Sequence, residues 1–119
     1  MLKTVVLVAS LAFATSAMAA GGGIGGSYDV FGTNPDGTAY KGSVTIVVTT
    51  DHTCHITWKT ESTTSSGICM QNGDAFTAAY ELSGKVGLAI YEIKEDGSMM
   101  GLWTIADQAG VGTELLTPQ

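Results

Sequence analysis

Two cysteines and two histidines are the residues of this chain best suited to metal or thiol chemistry, and most of them fall together: Asp51-His52-Thr53-Cys54-His55, with Cys69 beyond. Thiolate and imidazole are ligands for zinc or copper. The alternation of apolar and polar residues from Thr53 to Thr60 reads as a strand, however, and a strand sends Cys54 and His55 to opposite faces. The spacing also matches no zinc signature. A disulfide between Cys54 and Cys69 is the simpler reading. In an oxidising compartment it would close a short polar loop and add about 3 kcal/mol in the chain-entropy description. No metal and no cofactor is expected, and a metal-handling protein using His52, His55 and the thiols is kept as an alternative.

Catalytic arrangements are scarce. Nucleophilic catalysis needs a base beside a serine, threonine or cysteine, and the only histidines sit in a polar segment suited to solvent. The acidic pair Glu95-Asp96 falls in a predicted turn, where carboxylates serve backbone geometry. Neither the glycine run from Gly21 to Gly26 nor the glycines at Gly110 and Gly112 follow a strand and open a helix, so a phosphate-binding loop is not expected. The chain reads as a non-enzyme.

A pattern that occurs twice supplies the elements that position everything else. Tyr28-Asp29-Val30, Asp36-Gly37 and Gly42 to Ile46 are echoed by Tyr91-Glu92-Ile93, Asp96-Gly97 and Gly101 to Ile105. Each copy reads as a β-hairpin around a type I turn closed by a glycine in the left-handed region. Such a turn fixes the register. It places Gly32 opposite Tyr40, Val30 opposite Gly42 and Tyr28 opposite Val44, and in the second copy Ile93 opposite Met99, Tyr91 opposite Gly101, Ala89 opposite Trp103 and Gly87 opposite Ile105. Large side chains meet small ones on one face, as the concave side of a curved sheet requires.

Alternation through Thr53 to Thr60 and Ala75 to Leu82, with shorter strands at Ile68 to Asn72 and Thr113 to Thr117, brings the total to about eight strands at close spacing. Thr60 to Gly67 reads as a polar loop or hairpin tip. An all-β, small antiparallel up-and-down β-barrel with one disulfide is expected, a β-sandwich being the alternative. Its interior face would carry Tyr40, Trp58, Tyr91 and Trp103, either as plain core or as the aromatic lining of a pocket for a small apolar ligand. Its outer face would expose Leu88, Ile90, Met100 and Leu102, a contiguous apolar patch fit for self-association or a protein partner.

The address of the protein is written at its start. Lys3, the apolar stretch Val5 to Ala14 and Ala17-Met18-Ala19 form a signal peptide over residues 1–19, with cleavage expected before Ala20. A Gly-rich flexible leader over 20–27 and a single domain over 28–119 follow. The apolar run is too short to span a bilayer, and no cysteine follows the cut to carry a lipid, so no membrane insertion is expected. Once Lys3 leaves with the signal, four lysines and no arginine face eleven acidic residues, which disfavours nucleic acid and anionic lipid as partners.

Tyr28 to Asn34, Asp36-Gly37, Tyr40, Gly42, Cys54-His55-Ile56-Thr57-Trp58, Gly67-Ile68-Cys69 and Gly101 to Ile105 through Gly112-Thr113-Glu114 resemble a group of small exported α-proteobacterial proteins. Most of these are uncharacterised and some carry the label fibronectin-binding protein. The resemblance spans nearly the whole mature chain and implies a Gram-negative periplasmic or secreted location and protein binding. Residues and resemblance together lead to an exported non-catalytic binding module for a protein partner or a small apolar ligand. A periplasmic protease or lysozyme inhibitor acting through Glu61 to Gly67 is the alternative from another class.

Overall fold

Alternating burial is the local rule from which the architecture grows. In the computed structural model, which describes residues 23–119, the segments predicted as strands hide every second side chain: Tyr28, Val30 and Gly32 are buried while Asp29 and Phe31 are exposed, and Cys54, Ile56 and Trp58 are buried while His55 is exposed. The expected signal peptide, its cleavage site and the first residues of the leader lie outside the described residues.

Eight strands result: β1 Gly26–Thr33, β2 Ala39–Val48, β3 Cys54–Thr60, β4 Thr64–Asn72, β5 Ala75–Leu82, β6 Lys85–Ile93, β7 Met99–Ile105 and β8 Gly112–Pro118. Each pairs antiparallel with the next, and β8 returns to β1, so a single sheet closes on itself as an up-and-down barrel rather than splitting into a sandwich. Closure leaves no unpaired edge strand among the described residues.

The two Asp-Gly turns set register as their sequences require. In the first, the Gly37 N–H donates to the Asn34 carbonyl at 2.8 Å, and in the second the Gly97 N–H donates to the Lys94 carbonyl at 3.0 Å. Gly37 and Gly97 have φ of 90° and 87°, a conformation that costs residues with a Cβ. Asp36 Oδ1 accepts from the Thr38 N–H and hydroxyl, and Asp96 Oδ1 repeats this with Ser98. These bonds hold both carboxyls below the usual aspartate range. The pairings Gly32 with Tyr40, Val30 with Gly42, Ala89 with Trp103 and Tyr91 with Gly101 follow.

Two segments differ from expectation. The loop read at Thr60 to Gly67 is only a three-residue turn, because Thr64 to Gly67 pairs with β3 and, from Ser66, with β5; ladder bonds on both sides hold a stretch that has no apolar alternation of its own. β1 starts at Gly26, inside the expected leader. Ile24 is buried and its carbonyl accepts the Tyr28 hydroxyl at 2.5 Å, so this stretch seals one end of the barrel.

Near that sealed end the interior is apolar, with Ile46, Phe76, Met99 and Leu116 almost entirely hidden. Cys54 and Cys69 are direct cross-strand partners on β3 and β4 and are joined by a disulfide. The opposite end, where the turns after β1, β3, β5 and β7 gather, holds Tyr40, Trp58, Tyr80 and Trp103.

Candidate functional site

Alternation on β8 turns Gly112, Glu114 and Leu116 inward, and the β1–β8 closure sets Glu114 beside Gly32. An acidic side chain is thereby carried into the barrel, where it is only 5% exposed. Three donors meet it. Glu114 Oε1 accepts from the Trp58 indole N–H at 3.0 Å and from the Tyr91 hydroxyl at 2.5 Å; Oε2 accepts from the Tyr40 hydroxyl at 2.6 Å. Two carboxylate oxygens offer about four acceptor sites, so one on Oε2 stays free. The only ion pair among the described residues joins Lys94 to Glu92 on the outer surface, and Glu114 therefore has no cationic partner there.

The rings are fixed by packing as well as by hydrogen bonds. Tyr40 meets Trp103 edge-on with centroids 6.3 Å apart, and Trp58 tilts against Tyr80 at 5.0 Å. Trp103 lies flat over Gly112, where a Cβ would overlap the indole, and Gly101 gives the Tyr91 ring the same room. Tyr80 donates to the Thr104 carbonyl at 3.1 Å. Burial, reinforced by the negative charge of Glu114, pushes the Tyr40, Tyr80 and Tyr91 phenols well above their ordinary range.

One polar atom is left over. The Trp103 indole Nε1 is buried and makes no hydrogen bond. It lies near the Tyr40 hydroxyl, close enough to oppose the rise of that phenol, yet it forms no hydrogen bond with it. An indole N–H can only donate, so this group is an unmet request for an acceptor. A cavity of about 280 Å³ opens here, walled by Tyr40, Trp58, Tyr80 and Trp103, floored by Glu114 and rimmed by polar residues of the β3–β4 turn.

Of the pocket lining expected from sequence, Tyr40, Trp58 and Trp103 face this cavity; Tyr91 does not line it but stands behind Glu114 and holds it. Glu114 and Tyr80 were not singled out. The signal available for Glu114 was indirect: four inward-facing aromatic residues with polar tips need an acceptor, and Glu114 shares the parity of Leu116.

Leu88, Ile90, Met100 and Leu102 lie on the outer wall, each more than half exposed. Ile90 is paired with Leu102, and Ile68 and Met70 of β4 extend the patch across the sheet. An open groove of about 590 Å³ runs over this face. The disulfide withdraws both thiolates from metal binding, and no group of three or more His, Cys, Asp or Glu suited to a metal gathers among the described residues.

Fold and site define a small closed up-and-down barrel with a cavity at an aromatic, acid-centred mouth. Comparison with solved structures places it beside designed barrels. A redesigned β-barrel is 15% identical with a TM-score of 0.72, covering 81% of this chain and 91% of its own. The redesigned β-barrel mFAP1, bound to DFHBI, is 18% identical with a TM-score of 0.70 over 79% of this chain and 94% of its own. A de novo designed fluorescence-activating β-barrel is 16% identical with a TM-score of 0.67, covering 80% and 93%. At these identities the likeness establishes the fold alone. No protein-family model and no curated protein matches the chain.

Proposed function

We propose that this is an exported, non-catalytic binding protein that takes a small ligand into the mouth of its barrel. One observation carries the reading: the buried Trp103 N–H has no acceptor, and its indole is one of four aromatic rings that wall a cavity. Leaving such a donor unmet costs about 1–3 kcal/mol, which a ligand carrying one acceptor returns on binding. The designed neighbour mFAP1 holds DFHBI, an independent instance of this architecture accommodating a small molecule. A periplasmic or secreted setting is supported by the disulfide, since such bonds persist in oxidising compartments. Asp29, Lys41 and Lys59 on the outside of β1 to β3 do not suit a lipid-facing belt.

Indole N–H signals in a nitrogen–proton correlation spectrum test the reading directly, because the chain has two tryptophans. Titration with a fragment set of neutral, cationic and anionic small molecules is expected to shift the Trp103 signal. If no fragment moves either indole signal, the pocket reading is wrong.

A second reading is a contact face for a protein partner, including another copy of this chain, favoured by the exposed Leu88, Ile90, Met100 and Leu102. Contiguous apolar surface of this kind marks interaction sites. Sedimentation of the mature protein should then show self-association that Leu102→Lys removes; a strict monomer with no partner lost on that substitution rejects it.

A further inference from the structure

The pocket reading leaves the charge of the ligand open, and the floor of the cavity addresses it. Glu114 is a buried carboxylate with three donors, one free acceptor site and no ion-pair partner among the described residues. Hydrogen bonds from neutral groups disperse a buried charge but do not cancel it, and an uncompensated ion in a low-dielectric site is costly. A cation arriving from solvent would cancel it.

The walls point the same way. Tyr40, Trp58, Tyr80 and Trp103 line the same cavity, and aromatic faces attract cations through their quadrupoles, most of all weakly hydrated organic ones. The rim adds Glu61 and brings no lysine. With four lysines against eleven acidic residues after the signal segment, the long-range field also draws cations and repels anions.

We infer, resting on the pocket reading, that the mouth binds a small organic cation, an alkylammonium or related onium group, with its charged end between the rings above Glu114. A small shift of the Trp103 ring would let an acceptor atom elsewhere on the same molecule reach its buried N–H. An amino alcohol satisfies both demands.

Three probes of nearly one shape decide the matter in the wild-type protein: choline, the neutral isostere 3,3-dimethylbutan-1-ol, and 3,3-dimethylbutanoate as the anion. Binding is read from the two indole N–H signals and from calorimetry at an ionic strength of about 0.15 M, where surface charge is largely screened. Choline is expected to bind at least roughly tenfold more tightly than the alcohol, and the carboxylate more weakly than either. In Glu114→Gln the preference for choline over the alcohol should disappear. Equal or tighter binding of the alcohol or the carboxylate in the wild type overturns the cation assignment while the pocket stands. A choline preference that persists unchanged in a folded Glu114→Gln also overturns it. If none of the three moves an indole signal, cavity and cation readings fall together. The wild-type series decides by itself should the variant fail to fold.

Discussion

Two tyrosines donate to the same carboxylate from different depths, and removing each hydroxyl in turn measures what that depth is worth. Tyr91 is 3% exposed and its hydroxyl donates to Glu114 Oε1, whereas Tyr40 is only half-buried at the mouth and donates to Oε2. Tyr→Phe removes one oxygen and leaves the ring, so packing over Gly101 and against Trp103 is kept. A hydrogen bond to a charged group is worth about 1.5–3 kcal/mol. Tyr91→Phe should lose most of this, since Oε1 then keeps only the Trp58 N–H and the vacated site lies behind it, where Tyr91 is buried. Tyr40→Phe opens Oε2 to the cavity, where a water can take the place of the hydroxyl at a cost of about 0–2 kcal/mol. The expected order is therefore Tyr91→Phe less stable than Tyr40→Phe by about 1–2 kcal/mol. The double variant should fall short of the sum, because both changes act on one carboxylate. Urea unfolding of the mature protein, followed by tryptophan fluorescence and circular dichroism, reads all three. Equal losses, or a larger loss for Tyr40→Phe, would refute the placement of Glu114 as a carboxylate sealed from below and open above.

The remaining expectations concern pH, packing and the covalent link. All four tyrosines are raised above their ordinary value, chiefly by burial. Below about pH 10 they do not bias folding; above it the unfolded chain loses phenolic protons that the native state keeps, so stability falls, for Tyr91 by about 1.4 kcal/mol per pH unit and by less for the three nearer solvent. Ultraviolet titration should show Tyr40, Tyr80 and Tyr91 ionising only with alkaline unfolding, and reversible ionisation of more than one tyrosine near pH 10 in the folded protein would contradict it. Gly112→Ala drives a Cβ into the Trp103 indole and should cost about 1–3 kcal/mol while moving the Trp103 N–H signal more than that of Trp58; an unchanged spectrum would show that the ring does not rest on Gly112. Cys54→Ser with Cys69→Ser opens a link of sequence separation 15 and should lower stability by about 3 kcal/mol in chemical unfolding, leaving the barrel's circular dichroism intact.

Some of this was legible before any coordinates. Asp36-Gly37 and Asp96-Gly97 demand one turn geometry, and period-two alternation then tells each neighbouring residue which way to face, so the register of both hairpins and the inward set Tyr40, Trp58, Tyr91 and Trp103 could be written down. The strand at Thr64 to Gly67 could not, because Thr-Ser-Ser-Gly has no apolar alternation and is held by its neighbours. Nor could the buried start of the domain at Ile24, which looks like part of a glycine-rich tail until Tyr28 is seen donating to it.

By itself the sequence determined what short-range chemistry can determine: extended segments, their turns, their inner and outer faces, and a cysteine pair set in the alternation of its strands. The closed barrel was the expected form, but only the tertiary structure decided it over a sandwich, because closure joins β1 to β8, residues some ninety positions apart such as Tyr28 and Pro118. That same closure carried Glu114 to Tyr40, Trp58 and Tyr91, groups from three other strands. An acidic residue in a strand looks like surface in any local window; it becomes the floor of a cavity only when distant donors converge on it.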